Sequence, residues 1–309
     1  MPTDHDTSLR RFGPALVWAL FVAVGLTGCL APEAPTDAPP PNIVLIYVDD
    51  LGWRDVGVQG SRYYETPNVD ALAAQGMRFT QAYANAPNCA PSRAALMSGL
   101  YAPRTGIYTV STAARGRTEN RALIPVENRN TLDLEVVTLA EALTEAGYVS
   151  AHFGKWHLGG EGHLPTDQGF ASNVGGDEFG VPPTYYYPYE GAGRTIPGLE
   201  EGAEGEYLTD RLVDESVAFL ESTGDAPFFL YLSHFSVHTP IEGRADLVDR
   251  YRDRPPADGH DNPEYGAMVT AVDEGVGRIL ETLDRLNLAD NTLVIFTGDN
   301  GGHGPVTSM

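Results

Sequence analysis

From Asn42 onward the chain alternates between unbroken apolar runs and segments with helical spacing. Ile43–Val48 is continuously apolar, the pattern of a strand buried on both faces. A short helix is predicted next, capped by Asn68 and ending near Gln75-Gly76. Thr138 caps a second, Leu139–Ala146, which Gly147 stops, and Tyr148–Phe153 reads as the following strand. Tyr207–Glu221 is helical in period and Pro227–Ser233 reads as a buried strand. Asn262–Leu286 reads as a long helix leading into the strand Thr292–Thr297. Strand, helix and strand in repetition predict an α/β fold with a mostly parallel central sheet flanked by helices. Three stretches lack periodicity: 109–131 with Arg115, Arg117, Arg121 and Arg129; 171–205, rich in Gly, Pro and Tyr; and 240–261, charged and broken by proline. Loops of that length in a packed domain commonly carry function.

Ahead of this body, Arg10 and Arg11 precede an apolar stretch from Ala15 to Leu26, shorter than the roughly 20 residues that span a bilayer. Leu26-Thr27-Gly28-Cys29 follows, and the whole is similar to a bacterial lipoprotein signal. Residues 1–29 are therefore expected to be a signal peptide ending in a lipobox cysteine, cleaved before Cys29 with a lipid anchor added there. The proline-rich residues 30–41 would form a stiff tether, and 42–309 the catalytic domain. The protein is then expected to be exported, periplasmic or at the cell surface, as a membrane-anchored lipoprotein.

Acidic residues outnumber basic ones 42 to 20, giving a net charge of −22. Such a surface argues against nucleic acid, whose phosphates need a basic face. Among the 20 basic residues Lys155 is the only lysine. A chain this committed to arginine keeps a lysine where a compact ammonium is wanted.

In open parallel sheets the carboxyl ends of the strands line the ligand crevice. Ile43–Val48 runs into Asp49-Asp50, and Thr292–Thr297 into Gly298-Asp299-Asn300-Gly301-Gly302. Either these are solvated loop ends, or three carboxylates and an amide converge around a cation. All-oxygen donors of this kind suit a hard divalent ion, calcium or magnesium. In Asn88-Cys89-Ala90-Pro91-Ser92-Arg93, Pro91 suits a first helical turn and puts Cys89 at a helix N-terminus, where free N–H groups favour an anion. On these residues alone Cys89 is either a thiolate nucleophile of depressed pKa or a buried structural cysteine.

Cys89-Ala90-Pro91-Ser92-Arg93, continuing through Tyr101-Ala102-Pro103-Arg104-Thr105-Gly106, closely resembles the signature of the sulfatase family. Four further segments match in order: Val48-Asp49-Asp50-Leu51-Gly52, Gly154-Lys155-Trp156-His157-Leu158-Gly159, His238-Thr239-Pro240 and Gly298-Asp299-Asn300-Gly301-Gly302. The resemblance runs from Asn42 to the last residue. It implies an alkaline phosphatase-like fold and a formylglycine made from Cys89 by a maturation enzyme. The hydrate of that aldehyde has two hydroxyls on one carbon: one attacks sulfur, and deprotonation of the other expels sulfate.

By the same resemblance Asp49, Asp50, Asp299 and Asn300 hold calcium, with magnesium as the alternative, and the modified Cys89 completes the site. Arg93 would hold the hydrate and Lys155 a sulfate oxygen. His157 would assist deprotonation of the second hydroxyl, sharing one face of an extended segment with Lys155. His238 would serve the leaving-group side. His234 reads as a core residue, and His152 and His163 have no motif role. His303 is a candidate to orient a ligand. Tyr185, Tyr186, Tyr187 and Tyr189 form either a sugar-stacking wall or ordinary loop packing.

The implied reaction is hydrolysis of sulfate esters, those of carbohydrates above all. The alternatives are a phosphonate monoester or phosphodiester hydrolase with the same nucleophile, and a truncated, inactive calcium-binding lipoprotein. The family pattern continues past Met309 with a second lysine and a smaller C-terminal domain. A fragment or a truncated gene is therefore expected, lacking one anion contact and leaving an apolar sheet edge uncovered.

Overall fold

The computed structural model describes residues 39–304, so the expected signal peptide and the lipobox Cys29 lie outside the described residues. The chain enters as β1 (Asn42–Val48), passes through α1 (Pro67–Gln75), α2 (Cys89–Ser98), the one-turn α3 (Ala102–Thr105) and α4 (Leu139–Glu145), and returns as β2 (Val149–Gly154). There follow β3 (Ser172–Val174), α5 (Leu208–Ser222), β4 (Phe228–His234), α6 (Ala245–Tyr251), α7 (Pro263–Arg285) and β5 (Thr292–Gly298). The strands form one sheet of order β3-β2-β4-β1-β5, and every pairing in it is parallel.

The apolar runs are explained by burial on both faces. In β1, Val44, Ile46 and Val48 join one core with α5, α6 and α7. Leu45 and Tyr47 face the other, with Ala90, Ala94 and Met97 of α2 and Ala140 of α4. Both layers are anchored by caps. Thr138 and Glu141 exchange a capping box at α4, with bonds of 3.1 and 2.7 Å. Asn262 Oδ1 accepts from the Tyr265 amide at 3.1 Å ahead of α7. β5 alternates between partly buried and exposed residues, leaving Leu293 and Ile295 open on one face.

Two expectations are corrected. Asn68 does not cap α1, which starts at Pro67. Instead the free amides of Asn68 and Val69 donate to Asp273 of α7, at 3.2 and 2.8 Å, so a carboxylate from another helix does the capping. The stretch 240–261 is not irregular throughout, because it contains α6. Leu247, Val248 and Tyr251 are buried there, but seven residues hemmed by charge and proline are too few to show a period.

Candidate active site

Register brings the strand ends together. Val48 pairs with Gly298 and with His234, and Gly154 pairs with Ser233. β2, β4, β1 and β5 therefore finish level, and the segments that follow them carry Lys155–His157, His238, Asp49-Asp50 and Asp299-Asn300. Backbone bonds tie these segments to one another. The Asp49 amide donates to Ser236 O at 2.9 Å, Val237 N to Asp49 O at 2.7 Å and Asp299 N to Val48 O at 3.1 Å.

Carboxylate oxygens of Asp49, Asp50 and Asp299 lie within 4.8 Å of one another, and Asp49, Cys89 and His238 form a second such group. Asp49 and Asp299 are fully buried. Arg93 reaches back from α2 as expected. Its Nε and Nη2 donate to Asp299 Oδ2 at 3.1 and 3.0 Å, and its Nη2 approaches Asp49 Oδ1 at 3.4 Å. Lys155 Nζ donates to Asp49 Oδ2 at 2.5 Å. These two cations hold the Asp49 carboxyl below its usual range, Lys155 first, although burial pulls the other way. Asp299 is instead pushed up to about 7 by burial and by the charge of Asp49.

The donor set fits a divalent cation. Three carboxylates face two cations, an excess of one negative charge that a divalent ion would reverse. Asn300 Nδ2 donates to Asp50 Oδ1 at 2.6 Å, yet its Oδ1 is buried with no hydrogen-bond partner. A buried carbonyl oxygen left open beside three carboxylates is free to serve a hard cation.

Cys89 opens α2 and is buried. The thiol is not held as a low-pKa thiolate. Burial and the negative charge of Asp49 push it up to about 12, outweighing Lys155 and Arg93.

The Lys155–His157 segment is not an extended strand, which corrects the one-face argument. β2 ends at Gly154 and His157 adopts a left-handed φ of 61°, so strand alternation does not apply. The His157 amide donates to Asp177 O at 2.9 Å. Its Nδ1 is buried without a partner. Burial, then Lys155 and Arg93, lower its pKa to about 2, which keeps the ring neutral. His238 Nε2 lies 3.6 Å from Asp50 Oδ2, and its Nδ1 faces Thr239 O at 2.9 Å.

Several duller readings are also resolved. Tyr185 and Tyr189 are fully buried, and Tyr185 donates to Phe235 O and His238 O at 2.8 and 2.9 Å, so they pack the loop rather than wall a sugar site. His234 is a core residue with neither ring nitrogen bonded. His303 is exposed.

Sequence reasoning missed Ser233, whose Oγ accepts from Arg93 Nη1 at 2.6 Å and donates to Lys155 O at 2.7 Å. It also missed Ser92, which donates to Asp299 O at 2.5 Å, and Tyr47, whose ring lies 5.2 Å from the Arg93 guanidinium carbon. Their only signal was a position at a strand end or inside the cysteine motif.

The chain has relatives among known proteins. The chain is 36% identical over 303 residues to the N-acetylgalactosamine-6-sulfatase of Canis lupus familiaris, covering 92% of this chain and 54% of that protein. It is 33% identical over 357 residues to a sulfatase of Formosa agariphila, covering 96% of this chain and 64% of the relative. Among solved structures, Ps i-CgsB in complex with k-i-k-neocarrahexaose superposes with a TM-score of 0.71 at 34% identity, over 85% of this chain and 59% of that one. The chain thus spans about half the length of the first of these curated relatives. Residues 41–305 match the sequence model of the family described as Sulfatase, a stretch that contains every strand of the sheet and all the residues gathered at its carboxyl edge, and the chain belongs to that family.

Proposed function

We propose that this protein hydrolyses sulfate esters of carbohydrates, using a formylglycine made from Cys89 and a calcium ion held by Asp49, Asp50, Asp299 and Asn300. One observation carries the reading: Cys89, at the N-terminus of α2, shares a single cluster with Asp49 and His238 and lies beside Lys155 and Arg93. The names of the relatives, an N-acetylgalactosamine-6-sulfatase and a protein solved with k-i-k-neocarrahexaose, support a sulfated glycan as substrate.

The aldehyde hydrate would supply two hydroxyls on one carbon, and calcium held by Asp49, Asp50, Asp299 and Asn300 would supply charge to polarise the sulfate. The remaining work falls to this chain's side chains. Arg93, fixed by Asp299 and Ser233, steadies the residue at position 89 from one turn along the helix. Lys155 presents a compact ammonium to the sulfate oxygens. His157, kept neutral by burial beside two cations, has a lone pair to take the second hydroxyl's proton. His238, whose Nε2 lies 3.6 Å from Asp50 Oδ2, would give a proton to the departing alcohol oxygen. The leader pattern supports export and anchoring through Cys29.

The test is mass spectrometry of the tryptic peptide Phe79–Arg93 from protein made with a formylglycine-generating enzyme, together with turnover of an aryl sulfate. The expected result is formylglycine at position 89 and turnover that Cys89→Ala abolishes. Unmodified cysteine in a fully active preparation overturns the proposal. Faster turnover of an aryl phosphonate than of the sulfate would reassign the substrate.

A further inference from the structure

Five residues beyond the second metal-site aspartate lies a carboxylate that the reaction above does not use. Asp55 is fully buried, and no lysine or arginine pairs with it among the described residues. Its Oδ2 accepts from the Tyr265 hydroxyl at 2.6 Å and from the Gly52 amide at 2.9 Å. Its Oδ1 lies 3.4 Å from His260 Nε2. A buried carboxylate without a cation is costly unless donors converge on it, so this one is held for what it organises.

What it organises is the turn that carries Asp49 and Asp50. The Asp55 amide closes the turn onto Gly52 O at 2.9 Å. A Cβ on Gly52 would stand 2.6 Å from Asp55 Oδ2, so a side chain there would push the carboxylate off the Gly52 amide. The Tyr265 hydroxyl that donates to Asp55 also lies 3.4 Å from the Asp50 carbonyl oxygen. Asp50 itself has a left-handed φ of 54°, which a non-glycine residue keeps only when its surroundings hold it there. On one side its amide is bound by Asp299 Oδ1 at 3.1 Å and its side chain by Asn300. On the other side stand Tyr265 and Asp55. Tyr265 is fixed in turn by the capped start of α7 and by contact with the Tyr64 ring, 5.4 Å between centroids.

We propose that Asp55, acting through Tyr265 and the Gly52 amide, is a positioning residue that sets the backbone of Asp50 for divalent-cation binding. The inference rests on the calcium reading above. Asp55 touches no proposed ligand atom. It determines whether the Asp50 carboxylate points into the cluster with Asp49 and Asp299. Partners behind metal ligands typically change affinity by about 10–100-fold when removed.

The experiment measures calcium affinity of the full chain by competition with a chromophoric chelator, alongside the thermal midpoint in excess chelator. Asp55→Ala and Tyr265→Phe should each weaken calcium by about tenfold or more. Asp55→Asn keeps one oxygen able to accept both bonds, and should bind within about threefold of wild type, well inside the range of a lost partner. Should Asp55→Ala fail to fold, Tyr265→Phe, which removes a single hydroxyl, decides alone. Unchanged calcium affinity in Tyr265→Phe, even with a lowered thermal midpoint, overturns the proposal and makes the cluster purely structural. A wild-type chain that binds no divalent cation is a different outcome, and removes the calcium reading on which the inference stands.

Discussion

Lys155 Nζ donates to Asp49 Oδ2 across 2.5 Å with both side chains shut away from solvent. The only lysine of the chain is therefore spent on the carboxylate that ends the central strand, at the heart of the acidic cluster. Burying such a pair is no stability device in itself, because desolvation offsets most of the attraction. Its place in the acidic cluster accords with the proposed role, in which the ammonium would be shared between the carboxylate and a sulfate oxygen.

Lys155→Arg tests this directly. The planar guanidinium is wider than an ammonium and would crowd a tetrahedral sulfate beside the cluster. If position 155 needed only positive charge, the variant would match wild type. The expected result is a loss of about 10²–10³ in kcat/KM on an aryl sulfate, the scale of removing one contact in a water-poor anion site. Circular dichroism confirms folding. A folded variant within about threefold of wild type would return the lysine to chance.

Asp299 carries several duties at once. It holds Arg93 through two bonds, accepts the Asp50 amide and contributes an oxygen to the cluster. Asp299→Ala should weaken calcium by more than about 100-fold, beyond what a partner behind a ligand supplies, and should reduce turnover in parallel. Calcium titration followed by activity against free calcium measures both. Full activity of wild type in excess chelator would show that the acidic residues need no metal.

The strand ends are legible in the sequence. Continuous apolar runs mark β1 and β4, where burial on both faces leaves a strong local pattern, and Asp49-Asp50 after β1 and Asp299-Asn300 after β5 mark the crevice. Ser233, Asp55 and Tyr265 left no such mark. Ser233 matters because Arg93 and Lys155 arrive from other elements, and Asp55 because Tyr265 comes from 210 residues away. The left-handed turn at His157 was hidden for a similar reason. Its amide is bound by Asp177 O, from a loop further along the chain.

Gly154 ends β2 and leads directly into Lys155. It has φ of 105°, and a Cβ there would stand 1.9 Å from Ser233 O. That oxygen accepts the Lys155 amide at 2.7 Å, so nothing at this junction has room to shift. Gly154→Ala combines an unfavourable φ with a backbone clash and should destabilise the fold by more than about 4 kcal/mol, the range reserved for single changes with a defined steric cause. Urea denaturation measures it. A loss below about 1 kcal/mol, the ordinary cost of a point mutation, would mean the strand ends can part without consequence.

His234 offers a test by pH. The ring is fully buried with neither nitrogen bonded, and burial lowers its pKa from 6.5 to about 3. Native His234 therefore stays neutral while the unfolded chain takes up a proton below pH 6.5. Protons bind the unfolded state preferentially, so this group's contribution to stability is intact above pH 6.5 and is lost as pH falls toward 3. The loss is about 1.4 kcal/mol for each pH unit once below the unfolded value. Asp299 and Asp177, raised to about 7 and about 6, titrate in the opposite sense and mask the slope in wild type. The informative quantity is therefore the difference between wild type and His234→Leu, in which those carboxyls cancel. Urea denaturation of both at pH 7.5, 6.5 and 5.5, read as order-of-magnitude steps, should show the variant gaining on wild type by about 1 kcal/mol between the last two and hardly at all between the first two. A constant difference across the series would mean that His234 is protonated, or solvated, in the native state.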